Sequence, residues 1–283
     1  MFKQSGIVYI LLATFFFQLM NMCVKFLPHL PAHEIVFFRC LISLSISFVH
    51  LRLLQIHPWG NNKSALIWRG VFGMISLTAF FFTLQRMPLA SAVTIQYLSP
   101  IFTIIFATFI VQEKSSKIQY LFFILSFIGV VFIRGFDQRI ATADLLLGIS
   151  SALFSGLAYN MIRKSRNSEH PLVVVFYFPL VALPFISVWC LFEWVTPQGS
   201  DYILLLLTGI FTQMAQYFMT KAYQLEKAST VSSWQYMGLI FSLSIGYFIF
   251  NESYPWLSLF GMLLMVTGVL ANFMVERFKT IRQ

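Results

Sequence analysis

The sequence predicts an all-α polytopic membrane protein, with ten transmembrane helices built as two inverted five-helix repeats. Three observations predict it: an apolar, charge-poor composition; a succession of apolar runs of membrane-spanning length; and an echo of the first half in the second. Of the 283 residues, 58% are hydrophobic and only 10% are charged, and mean hydropathy is +0.78. A soluble domain carries about 25% charged residues. So little charge cannot cover a water-facing surface. The net charge of +9 would suggest nucleic acid in a soluble chain. Here the basic residues sit in short loops between apolar runs. The charge therefore reads as a topology signal, and no nucleic-acid partner is expected.

A helical span needs about 20 mostly apolar residues. Such runs lie at roughly 6–26, 34–54, 66–84, 90–110, 118–134, 143–163, 172–192, 201–222, 228–250 and 256–275. The first, Gly6 to about Phe26, follows Lys3 and has no small-residue cleavage site after it, so it reads as a span and not a removed signal. Short connections carry the turn formers: Pro28 and Pro31, Pro58 to Asn62, Met87-Pro88, Glu113-Lys114, Pro197-Gln198-Gly199 and Asn251-Glu252. They leave no room for an extramembrane domain. Cys23, Cys40 and Cys190 all fall inside apolar runs and read as buried small hydrophobes.

Lysine and arginine positions fix the orientation. With a cytoplasmic N-terminus, Lys3, Arg52, Lys63, Arg69, Lys114, Lys117, Arg163, Lys164, Arg166, Lys221, Lys227, Arg277, Lys279 and Arg282 fall on the cytoplasmic side. Lys25, Arg86, Arg134 and Arg139 fall outside, and Arg39 lies within a span. An even number of spans then puts both termini in the cytoplasm. Compactness and short loops favour a bacterial inner membrane.

The two halves match at an offset of 139 residues, as Gln96 against Gln235 shows. Ala90-Ser91-Ala92-Val93, Gln96-Tyr97, Ile101-Phe102 and Glu113 find counterparts in Ala228-Ser229-Thr230-Val231, Gln235-Tyr236, Ile240-Phe241 and Glu252. Asn21 matches Asn160, Lys25 matches Lys164, Gly70 matches Gly209 and Gly129 matches Gly268. The repeats are drawn at 1–137 and 138–283. Five spans is an odd number, so the second repeat must enter the membrane upside down. Inverted repeats are a signature of solute transporters, because two halves that exchange conformations give inward-open and outward-open states.

On these residues the chain resembles the drug/metabolite transporter superfamily, specifically its EamA-type ten-span permeases. The resemblance is carried by Met87 to Ala92, Ser99-Pro100-Ile101-Phe102 and Glu113, and again by Glu226 to Thr230, Glu252 and Gly268. Glu34 and Arg39, and the Asn-x-x-x-Lys of spans one and six, add to it. Two departures are that Gly238 or Leu239 stands where the first half has Pro100, and that Arg39 has no basic partner in the second half, where Phe176 occupies the matching stretch. The resemblance implies a metabolite exporter or exchanger with a central cavity, and leaves the substrate open.

Polar groups at membrane depth face a bundle interior or a wet cavity. The candidates for substrate binding are Gln18, Asn21, Arg39, Gln96, Tyr97, Tyr159, Asn160, Gln213, Gln216, Trp234 and Gln235. Gln18 with Asn21, and Gln213 with Gln216, are three apart and share a helix face. Each amide has a second reading, as an interhelical hydrogen bond that only ties helices together. The group suggests a neutral, amide-rich site with aromatic walls, suited to a polar, partly planar solute. Arg39 is the one candidate cation, about 8 Å inside its span at the helical rise, with snorkelling to the surface as its alternative.

Pro100 and Gly238 are the candidate hinge or packing positions, and a fixed kink is the alternative for Pro100. Gly70, Gly73, Gly148, Gly156 and Gly261 read as close helix contacts. Glu113 and Glu252 read as helix-end anchors, and no carboxylate lies deep in a span. Pro31 separates His29 from His33, so no metal site is expected. No catalytic residue and no cofactor are expected, since P-loop, HExxH, GxSxG and dinucleotide fingerprints are all missing. The expected partners are a small-molecule metabolite and the lipid bilayer, in a monomer or homodimer. The competing reading is a non-transporting membrane interaction protein that keeps the transporter fold.

Overall fold

Apolar runs in lipid must satisfy their backbone groups internally, which makes them helices. A computed structural model of the chain describes residues 6–110, 121, 124–125, 128–132, 137–226, 231 and 234–281. The helices within them are α1 (Gly6–Lys25), α2 (Ala32–Leu53), α3 (Lys63–Arg86), α4 (Leu89–Gln96), α5 (Ser99–Ile110), α6 (Thr142–Lys164), α7 (Pro171–Cys190), α8 (Asp201–Leu225), α9 (Met237–Phe248) and α10 (Trp256–Ile281). Among the described residues, seven helical stretches, counting Leu89–Ile110 as one, are long and apolar enough to cross a membrane. Met237–Phe248 and Trp256–Gly268 are shorter apolar helices. The molecule is an all-α polytopic membrane protein. Most of the expected span at 118–134, with Glu113, and the 227–230 start of the ninth span lie outside the described residues.

The helix ends follow from local chemistry. Pro31 and Pro88 sit just before α2 and α4 with φ of −57° and −55°, the value their rings already impose. The Asn62 side chain accepts from the Ala65 N–H at 3.2 Å and caps α3. The start of α4 is held by a distant residue. Both carboxylate oxygens of Glu252 accept from the Leu89 N–H, at 3.0 and 2.9 Å. A carboxylate there also meets the positive end of the helix dipole.

The expected fourth span is not one helix. Pro100 has no N–H to give the Gln96 carbonyl, and its ring crowds the preceding turn. The chain tightens into three-residue bonds instead: Tyr97 N to Thr94 O, Leu98 N to Ile95 O, and Ile101 N to Leu98 O, each at 3.0 Å. α4 ends, and α5 restarts with Pro100 in its first turn, where the missing donor costs nothing. Pro100 therefore marks a break between two helices, not a hinge inside one. The second half breaks at the matching place: Tyr236 is a turn residue between helical Gln235 and α9.

Packing crosses between the halves. The most extensive helix contacts are α1 against α8 and α3 against α6. A shift of 139 residues carries α1 onto α6 and α3 onto α8, so each contact is the image of the other. α2 lies against α7, α2 also meets α8, and α3 meets α7. Two apolar clusters result. One gathers Val24, Leu27, Ile35, Leu84, Leu89 and Ile186, where α1, α3 and α7 end and α2 and α4 begin. The other gathers Ile10, Leu51, Leu66, Val174 and Met219 at the opposite end of the bundle. Large apolar side chains such as Leu53, Phe109, Leu191 and Phe192 point outward, as lipid contact requires.

Candidate functional site

Between the two apolar clusters the interior turns polar. A cavity of about 110 Å³ opens there, lined from α1 through α8 and by Gln235. Gln18, Asn21, Arg39, Gln96, Tyr97, Tyr159, Gln216 and Gln235 all line it. Other expected residues lie elsewhere. Gln213 accepts from Ser43 Oγ at 2.6 Å and donates to Ser47 Oγ at 2.8 Å, so its amide ties α8 to α2. Asn160 donates to the carbonyls of Thr103 and Gly156, both at 2.9 Å, and fastens α6 to α5. Trp234 is 38% exposed and outside the cavity lining. The interhelical reading thus describes Gln213 and Asn160.

Several lining amides are already engaged. Gln96 donates to Ser155 Oγ at 2.7 Å and accepts from Ser151 Oγ at 2.8 Å, which pins α4 to α6. Asn21 donates to Gln18 Oε1 at 3.2 Å, while its own side-chain oxygen is buried without a partner. The helix break supplies the next element. Tyr236 Oη donates to the Tyr97 carbonyl at 2.8 Å, the carbonyl that the tightened turn leaves free. The two rings meet with centroids 5.0 Å apart. Each repeat's tyrosine thus sits at the break of the other's helix. Gly238 makes the crossing possible, since a Cβ there would overlap Tyr97 Oη and stand 2.7 Å from a Thr14 methyl.

The cavity is not neutral. Arg39 does not snorkel; it is fully buried and points inward. Its Nε donates to Thr212 Oγ1 at 2.7 Å. Arg69, expected at the cytoplasmic membrane edge, is 3% exposed and lines the same cavity. It donates from Nη2 to Gln216 Oε1 at 2.9 Å. The two guanidinium carbons stand 5.2 and 5.0 Å from the Phe178 ring centroid. Gly73 clears the space, because a Cβ there would run into Arg69 Nη1 and the Phe178 ring. Arg69 escaped the sequence reading because the span was started at residue 66. The helix starts at Lys63, which places Arg69 about 9 Å along it at the helical rise.

The comparison with family models divides the chain into the same two halves. The model of the EamA-like transporter family matches residues 4–135 and again 142–274. The chain belongs to this family. It is a transporter of the drug/metabolite superfamily and not an enzyme. The pseudopaline exporter CntI of Pseudomonas aeruginosa (strain UCBPP-PA14) is 30% identical over 275 residues, covering 95% of each chain. Human solute carrier family 35 member G1 is 29% identical over 93% of this chain and 77% of its own length. The S-adenosylmethionine uptake transporter of Rickettsia prowazekii is 24% identical over 88% of this chain and 85% of its own. A solved crystal structure superposes on 94% of the chain and 98% of its own with a TM-score of 0.69 at 16% identity, a likeness of fold.

Proposed function

We propose that this protein is a secondary transporter, an exporter or exchanger, that moves a small polar organic metabolite by alternating access through the central cavity. The observation that carries the reading is the cavity itself, bounded by apolar clusters at both ends and lined by both halves of the chain. The exchange-related contacts α1–α8 and α3–α6 support two repeats, 1–137 and 138–283, the second inverted, that can trade conformations. Gln18, Asn21, Tyr97, Tyr159 and Gln235 contact the solute in this reading, and the remaining amides hold the walls. Relatives named as an exporter and as an uptake transporter stand on the same fold, so the experiment reads both directions. Untargeted profiling compares cells and medium for the intact protein and an equally abundant Gln18→Ala/Gln235→Ala variant. The expected result is at least one metabolite that redistributes only with the intact protein. Equal redistribution by both would move the site elsewhere. No redistribution by either, with no flux in vesicles loaded with cell extract, would sink the transport reading.

Both termini face the cytoplasm of a bacterial inner membrane in this reading. Gln138 then lies outside and Lys63 inside, and both are exposed loop or helix-end positions. The three native cysteines are buried and give little background. Gln138→Cys is expected to react with a membrane-impermeant maleimide in intact cells, and Lys63→Cys only after lysis. The opposite pattern would invert the topology.

A further inference from the structure

We infer that the cavity selects a small organic anion, whose carboxylate or phosphate oxygens pair with Arg39 and Arg69. The inference rests on the reading of this cavity as the solute site. Taking a guanidinium out of water costs several kcal/mol unless an anion compensates it. Among the described residues, neither arginine has one. The ion pairs among the described residues join Lys25 to Glu252, His29 to Asp201, Arg86 to Asp144 and Arg139 to Asp137. Among the described residues, no Asp or Glu lines the cavity.

What the protein supplies instead is partial. Arg39 spends Nε on Thr212, and both of its terminal nitrogens, Nη1 and Nη2, are buried without a partner. Arg69 spends Nη2 on Gln216, and its Nε is likewise unpartnered. Phe178 offers its ring to both cations, a contact that attracts them without neutralising them. Because each guanidinium carbon lies about 5 Å from that centroid, the two are at most about 10 Å apart. One small solute reaches both. The free Nη1–Nη2 edge of Arg39 is the fork that grips a planar carboxylate or a phosphate with two hydrogen bonds. The pair of charges best suits a solute with two acidic groups, or one doubly charged group.

The test is ligand-induced thermal stabilisation of the purified full-length protein in detergent, followed by flux in vesicles. The probes come in charge pairs: succinate against succinamide, glutarate against glutaramide, and glucose 6-phosphate against glucose, with inorganic phosphate as a further probe. The expected result is stabilisation by acidic members at millimolar concentration and none by their neutral partners. The carboxylate and phosphate arms separate the two sources of the anion. Arg39→Gln and Arg69→Gln should each weaken the response on the order of 10- to 100-fold, the range of a lost charge-assisted hydrogen bond. Arg39→Lys keeps the charge without the fork and should recover part of it, which separates recognition from failure to fold. Equal stabilisation by neutral partners, an undiminished response in either glutamine variant, or no response to any acidic probe would overturn the inference. Flux of a neutral solute only would keep the transport reading and reject the anion. Anion binding without flux in any vesicle would do the reverse.

Discussion

Glu252→Gln is expected to lower the thermal stability of the protein in detergent by about 2–3 kcal/mol, the effect of stranding one member of a largely buried ion pair. Three groups converge on this carboxylate. Lys25 Nζ lies 2.5 Å from Oε1, with side-chain exposures of 16% for the lysine and 9% for the glutamate. Leu89 N–H donates to it, and so does the Tyr254 hydroxyl. The glutamine keeps an acceptor for Leu89 but leaves Lys25, which also donates to the Met87 carbonyl at 2.8 Å, without its counter-charge. The exchange Lys25→Glu/Glu252→Lys separates the two roles. It restores an ion pair, yet it sets a cation against the N-terminus of α4, where the helix dipole and the Leu89 N–H both need an anion. The double variant should therefore stay well below the parent. Full recovery would show that pairing alone matters. Cys23, Cys40 and Cys190 are all buried, so a thiol-reactive dye reports the melting curve directly.

Gly156→Ala is expected to destabilise by about 1–3 kcal/mol, the usual cost of overpacking a tight contact. Gly156 is where α6 crosses α5. A Cβ there would stand 2.7 Å from Phe102 Cβ and 2.9 Å from both the Phe102 carbonyl carbon and the Thr103 nitrogen. Backbone atoms cannot turn away, so the helices must separate. Asn160, whose bond to the Thr103 carbonyl spans the same contact, would be strained with them. Gly148→Ala, one crossing earlier, is the control. The nearest atom to its added Cβ is an Ile95 methyl at 2.9 Å, and the next contacts are at 3.7 Å. One methyl must shift there and no backbone atom, and alanine favours the helix by up to about 1 kcal/mol. Gly148→Ala should therefore cost less than Gly156→Ala. Equal melting curves for the two variants would remove the argument from backbone contact.

Much of the architecture was legible in the residues. Hydropathy placed α1, α2, α6, α7 and α8 to within a few residues, because lipid forbids polar interruptions over a fixed length. The polar residues of the spans named eight members of the cavity wall, from Gln18 to Gln235. Asn160 and Gln213 were drawn into the same group because an amide at membrane depth has two uses. The sequence shows the amide but not whether a serine or a carbonyl on another helix already occupies it. Trp234, a candidate on the same span as Gln235, is 38% exposed and outside the cavity lining.

The sequence by itself determined the class of molecule, an all-α polytopic membrane transporter, and the interruption of the fourth span at Pro100. Composition, run length and the missing proline N–H are local properties that no packing can undo. The tertiary structure alone decided the charge of the cavity. Arg69 reads as one more basic residue at the end of a helix until the rotation and depth of α3 are known. Those are set by contacts with α6 and α7 across a hundred residues of chain, through a glycine at position 73 that lets the guanidinium fold back beside Phe178. A side chain's direction is a sum over its neighbours, and those neighbours come from the other half of the molecule.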